Sequence, residues 1–162
     1  MAANLVVQSK ALKNGKAIPK KYTAQGEDTS PNLSWSGAPK GTKSFVVIVD
    51  DPDAPSPRIP VITFVHWVVY DIPANVKNLP AAVPAGETLA SGAKQGKNSW
   101  GKNAYGGPNP PFGEHRYRFK VYALDTMLGL DPAKTKKKHV VKAMKGHVLA
   151  EGSLMGTYEK KK

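Results

Sequence analysis

Three carboxylates and two prolines crowd into DDPDAP at residues 50–55, directly after the apolar run SFVVIV. Asp50, Asp51 and Asp53 are three of the chain's 12 acidic residues, concentrated where a buried strand has only to end. Carboxylates so placed need donors, and histidines are candidate partners. Two of the four histidines lie inside strand-like runs, His66 in FVHWVV and His115 at the head of HRYRFKVYALD. A buried imidazole without a partner costs about 1–3 kcal/mol. If the strand ends converge, one aspartate can accept from an imidazole N–H, fix its tautomer and leave the other ring nitrogen for a ligand. A cleft holding one carboxylate, two histidines and a tyrosine hydroxyl suits an anion that also carries a donor, such as a phosphate with an amine or hydroxyl nearby.

Other chemistries have less to stand on. Two histidines and a carboxylate are a common metal-binding combination, but their spacing here forms no diagnostic local motif. With no cysteine, thiol catalysis and zinc-ribbon sites are excluded. No G-x-S-x-G elbow is present. YGGPNPPFG lacks the Lys-Ser/Thr ending of a phosphate loop, and its prolines remove backbone donors. It reads as the shaped rim of a pocket.

The elements that must position these groups are strands. LVVQS near the start, SFVVIVD at 44–50, TFVHWVVYDI at 63–72 and HRYRFKVYALD at 115–125 are β-branched or aromatic and bounded by Pro, Gly or Asp. The second and third are apolar at both parities, which fits central strands covered on both faces. By parity His66 shares a face with Phe64, Val68 and Tyr70. In the fourth, His115, Tyr117, Phe119 and Val121 share one face while Arg116, Arg118 and Lys120 take the other. One helix is expected, capped by Asp131 with Pro132 first, or starting after Thr135, and running toward Gly146. Val140, Val141, Met144 and Val148 form its apolar stripe, leaving Lys134, Lys138, Lys142 and Lys145 outward.

The 162 residues carry 24 Lys and Arg against 12 Asp and Glu, a net charge of +12. Such a charge draws anionic partners without selecting among them. Much of it is lysine in KTKKKH and in the tail YEKKK, where a charge run ordinarily means a solvated face. Basic groups interleaved with aromatics, as nucleic-acid readers use, are not visible, so no specific nucleic-acid partner is expected. The opening residues show no secretory pattern, and no apolar run reaches the roughly 18 residues of a membrane span. No repeat or linker divides the chain. The expectation is a single domain over 1–162, cytoplasmic, without a transmembrane segment.

DDPDAP, FVHWVVYDIP, YGGPNPPFGEHRYRFKVYALD and the ending MKGHVLAEGSLMGTYE together resemble the phosphatidylethanolamine-binding proteins, also called Raf kinase inhibitor-like proteins, in their compact bacterial and archaeal branch. The resemblance runs from KYTAQGEDTSPNLSW to the C-terminus in the family's order, and includes the D-P-D-x-P and G-x-H-R signatures. It implies a mainly β fold, a large antiparallel sheet packed on a smaller one with a few peripheral helices, and an anion-binding pocket at one end. It further implies that Asp51 is the pocket carboxylate, that His66 and His115 are pocket histidines, and that Tyr117 turns its hydroxyl to the ligand. Pro110 and Pro111 resemble the rim. Asp53 resembles a loop-stabilising residue, and Arg116 alternates away to pair with a carboxylate of the acidic loop. Animal members carry a C-terminal pocket-gating helix, whereas this sequence stops soon after its last strand-like run.

The expectation that follows is a non-catalytic protein, without cofactor, whose pocket takes a phosphorylated small molecule or a phospholipid head group and which regulates a protein partner. A kinase or protease partner and a homodimer are implied by the resemblance alone. The alternative is a serine protease inhibitor acting through the Pro-rich loop APSPRIPVI, with Arg58 in an extended setting.

Overall fold

The computed structural model describes residues 3–160. The expected tail lysines Lys161 and Lys162 lie outside the described residues. Among the described residues nine strands and one α-helix are formed, with a 3-10 turn at Lys20–Tyr22. The strands are β1 (Ala3–Asn4), β2 (Val6–Gln8), β3 (Leu33–Ser36), β4 (Ser44–Ser56), β5 (Ile59–Pro73), β6 (Asn78–Leu79), β7 (Lys94–Gln95), β8 (Glu114–Leu124) and β9 (Val148–Glu159), and the helix is α1 (Lys137–Met144). The large sheet has the order β1-β9-β8-β4-β5-β7, and the small one β2-β3-β6. All pairings are antiparallel except β1 with β9.

Period-two alternation sorts the long strands between two cores. Phe45, Val47 and Val49 of β4 join Trp67 and Val69 of β5 and Tyr117, Phe119 and Val121 of β8 against Leu33, Trp35 and Leu79 of the small sheet. On the opposite face Val46, Ile48, Val68, Tyr70 and Leu124 pack under Val140 and Met144 of α1. Each fully buried side chain of this kind contributes about 1.5–3 kcal/mol of transfer free energy. Strands apolar at both parities are therefore covered on both faces, as the sequence predicts for β4 and β5.

Three expectations need correcting. The helix begins at Lys137, so the later start holds; Asp131 instead carries a turn, its Oδ1 accepting from Ala133 N and its carbonyl from Lys134 N. Val141 is 44% exposed rather than part of the apolar stripe, and Val148 belongs to β9. Arg58 is not in an extended setting, because Pro57 and Arg58 form the turn that joins β4 to β5.

Register matters most at the end of β4. Val49 pairs with Trp67 but Asp50 pairs with Val65, so His66 is an extra residue on β5 without a partner of its own. Such a bulge re-aims the side chains on either side of it. Trp67 keeps its place in the core between the sheets, Val68 and Tyr70 face the helix, and His66 turns with Phe64 into a cavity. The parity reading that put His66 with Val68 and Tyr70 fails for this reason.

Candidate functional site

The cavity opens where β4, β5 and β8 end together, and has a volume of about 310 Å³. Asp51 comes from β4, Phe64 and His66 from β5, His115 and Tyr117 from β8, and Pro110 and Pro111 from the preceding loop. All six predicted pocket positions on strands and rim are thus brought to one place, while Asp53 and Arg116 are not among its lining residues.

The three aspartates of the acidic loop have three different partners. Asp50 continues the helix-side parity of Val46 and Ile48, and its fully buried carboxylate meets Arg118 Nε at 2.8 Å, Lys120 Nζ at 2.7 Å and Lys137 Nζ at 2.9 Å. Burial opposes its ionisation, but hydrogen bonds from Lys120 and Lys137 prevail and hold it below the usual carboxylate range. Asp53 takes three hydrogen bonds from Arg116, from the backbone N at 2.9 Å, Nε at 3.0 Å and Nη2 at 2.8 Å. That guanidinium lowers the Asp53 carboxyl in turn. Asp51, on the cavity side, is as fully engaged: Oδ1 accepts from the Asp53 backbone N at 2.7 Å, and Oδ2 lies 2.5 Å from His115 Nδ1.

The two histidines have opposite assignments. His115 is fully buried, with Nε2 2.8 Å from the Phe112 carbonyl. A carbonyl can only accept, so Nε2 carries a proton, and the proton between Nδ1 and Asp51 makes the pair a closed internal unit. His115 therefore lines the cavity but has no nitrogen to offer a ligand. His66 Nδ1 donates to the Gly106 carbonyl at 2.6 Å, while its own carbonyl accepts from Gly106 N at 3.0 Å. Burial pushes the ring's pKa down against the Gly106 bond, so the neutral form prevails with its proton on Nδ1. Nε2 is left as an acceptor.

Tyr117 completes the set. Its hydroxyl is buried in a residue 1% exposed and has no hydrogen-bond partner among the described residues. Burial pushes its pKa far up, so it remains a protonated donor. Its ring stands edge-on to His66 with centroids 5.2 Å apart and stacks at 6.4 Å on His115.

The sequence reading did not single out the aromatic wall. Trp100 lies edge-on to both Phe64 and His66, at 4.7 and 5.2 Å. Asn98 holds its turn, Oδ1 accepting from Trp100 N and Lys102 N, and Nδ2 donating to the Ala104 carbonyl. The signal available was a tryptophan in the polar run KNSWGKN, where a large ring has little reason to be unless it covers something. The glycines of YGGP serve the same wall. A Cβ on Gly106 would meet the Trp100 ring at 2.3 Å, and one on Gly107 would meet the Tyr22 carbonyl at 2.4 Å. Gly107 N donates to Asp28 Oδ1 at 2.7 Å, which fixes the loop from behind. Among the described residues no group of three His, Asp or Glu could hold a metal ion.

Comparison with known proteins agrees with this architecture. The family model described as phosphatidylethanolamine-binding protein matches residues 8–159. A protein of Aquifex aeolicus designated UPF0098 is 47% identical over 161 residues, covering 98% of this chain and 90% of its own. The crystal structure of a phosphatidylethanolamine-binding protein homologue from Chlamydia trachomatis superposes with a TM-score of 0.86 at 39% identity, covering 99% of this chain and all of that one. E. coli YbcL, described as a new member of the mammalian family, gives a TM-score of 0.86 at 35% identity, with 98% and 100% covered. The chain belongs to the phosphatidylethanolamine-binding protein family, in its bacterial and archaeal branch.

Proposed function

We propose that the chain is a non-catalytic binding protein whose cavity takes the phosphate of a phosphorylated small molecule or of a phospholipid head group. The observation that carries this is the buried Tyr117 hydroxyl, a donor without a protein partner, beside a His66 whose Nε2 is left as an acceptor. A protonated phosphate oxygen satisfies Nε2 while another oxygen accepts from the tyrosine. The Asp51–His115 unit has no free atom for a reaction, since each of its polar atoms is already engaged. It braces the cavity floor. Phe64 and Trp100 give the remainder of the ligand an aromatic wall that suits an ammonium or a short apolar stem.

Affinity for the bare anion is weak, about −4 to −6 kcal/mol, because the site offers few donors. A titration of the labelled protein with inorganic phosphate, phosphoethanolamine and a soluble lysophosphatidylethanolamine tests the reading. His66 and Tyr117 signals shift with all three, and the ranking tells a free phosphate from a lipid head group. Ring signals of His66 that stay fixed at saturating phosphate overturn it.

A role in regulating a protein partner, and self-association, have a surface to use. Ile59, Val61 and Ile62 on the β4–β5 ribbon and Phe112 at the rim are exposed apolar residues. The inhibitor reading loses the feature that supported it, because Arg58 sits in a tight turn rather than in the extended backbone a protease cleft reads.

A further inference from the structure

On the opposite face of the large sheet from the phosphate cavity lies a groove of about 1110 Å³. Val65, Tyr122, Val141, Met144 and Val148 give it an apolar floor. Lysines 97, 136, 138, 142 and 145 surround that floor, and among the described residues none of the five forms an ion pair. The two banks are tied together: Lys97 N donates to the Thr135 carbonyl at 2.7 Å, and Lys97 and Lys136 form a parallel bridge. No Asp or Glu lines the groove; Glu151 stands beside Tyr122 at its edge, and Asp50 beneath it is fully buried and already shared by Arg118, Lys120 and Lys137. The groove is therefore uniformly cationic.

Its charge does not serve the helix. Lys136, Lys137 and Lys138 stand at the N-terminal end of α1, where the helix dipole disfavours cations, and the first turn holds no acidic residue. Val141, an exposed apolar side chain between those lysines and Lys142, gains nothing from the fold either. Both features become favourable with an anionic, partly apolar occupant.

We infer that this groove docks an acidic segment of a protein partner, one that sets leucine-like side chains on the floor and its Asp and Glu against the lysines. Five ammonium groups around one floor call for several carboxylates, more than a single-headed amphiphile supplies. A single nucleic-acid strand fits less well, because it needs rings or guanidinium planes to stack on, and Tyr122 is the one aromatic residue lining the groove. A bilayer fits less well too, since of the five apolar residues only Val141 is exposed, Val65, Tyr122 and Val148 being half-buried and Met144 buried. Acidic side chains flanking apolar anchors complement both the sign of the charge and the shape.

The test uses a short synthetic peptide of glutamates interrupted by leucines at every third or fourth position, titrated into the labelled protein at low salt. Backbone signals of Lys97, Val141 and Lys142 shift, and binding weakens about tenfold or more in the triple variant K97Q/K142Q/K145Q, as the loss of three charge pairs implies. V141S, or serine in place of the peptide's leucines at unchanged charge, weakens it several-fold. Phosphate still shifts His66 in each variant, which separates this surface from the cavity. Val141, Lys142 and Lys145 are exposed and Lys97 is half-buried, so thermal melts stay near wild type; if the triple variant unfolds, V141S and the serine peptide still decide. The inference fails if the peptide does not bind, or if the serine peptide binds equally well. It fails also if oligo(dT) or phosphatidylglycerol vesicles bind through the same lysines more tightly than the peptide.

Discussion

Replacing Tyr117 by Phe removes one oxygen atom and separates binding from stability with opposite signs. The hydroxyl is buried without a protein partner, and a buried unsatisfied polar group costs roughly 1–3 kcal/mol. Its removal should leave the unliganded fold as stable as before or up to about 1 kcal/mol more stable, since the ring keeps its contacts with His66 and His115. The same change takes away a donor to a charged acceptor, an interaction of about 1.5–3 kcal/mol, so phosphate binding falls about tenfold or more. Because burial holds the hydroxyl protonated, this loss is the same across the pH range in which the protein is handled. Calorimetric melts without phosphate and chemical-shift titrations with it give the two numbers on one sample. A Tyr117→Phe protein that melts more than about 1 kcal/mol lower and binds phosphate as before would refute the reasoning, for the hydroxyl would then have an internal role.

Asp53→Ala removes the acceptor of three Arg116 donors, one of them a backbone N–H, and should lower stability by about 1–2 kcal/mol in a denaturant melt, discounted because Arg116 is 57% exposed. Asp51→Ala should destabilise as well, since it frees both His115 Nδ1 and the Asp53 N–H; a melting point equal to wild type, with only phosphate binding lost, would favour the role of pocket carboxylate that the resemblance implies for it. Asp50→Ala leaves Arg118, Lys120 and Lys137 together without their counterion, and a loss of about 2–3 kcal/mol is expected, smallest at high salt. The pH dependence of stability has two limbs. His66 has a folded pKa below its ordinary 6.5, so the unfolded chain binds the extra proton and stability falls as pH drops from about 6.5 toward the folded value. Asp50 and Asp53 are depressed below 3.8, so their stabilisation is intact above that pH and is lost as pH falls through the folded values. A His66 ring titrating above 6.5 would contradict the first limb.

What could be read from the sequence was whatever depends on local period. The alternation of β8 places His115, Tyr117, Phe119 and Val121 on the buried side and leaves the basic residues on the other, because no insertion disturbs that strand against β4. The same rule fails on β5, where one extra residue at His66 resets the parity; the bulge depends on pairing with β4, which a single strand's sequence does not contain. The helix start was ambiguous because Asp131 and Pro132 are good signals for a first turn, yet their hydrogen bonds close a separate turn before Lys137. Roles within the pocket were less legible still. His66 and His115 have similar apolar neighbours in sequence, and only the positions of Gly106, Phe112 and Asp51 distinguish a ring with a free acceptor from one that is spent.

The acidic loop shows why those distinctions have to be three-dimensional. Asp50 and Asp51 are adjacent, so the pleat sends them to opposite faces of the large sheet. One neutralises cations beneath the helix; the other is tied to His115 on the cavity side. Asp53, two residues on, would return to the cavity side, but its carboxylate reaches across to the start of β8 and takes the backbone N–H of Arg116. That bond sets the position of β8 at the residue between His115 and Tyr117. The brace and the cavity are therefore mechanically one: Asp53 fixes the strand, the strand fixes Tyr117, and Asp51 fixes the ring behind it. Three carboxylates within four residues are needed because the strand end has three separate groups to hold, on two faces and an edge, and the Tyr117 hydroxyl that they position is itself without a hydrogen-bond partner among the described residues.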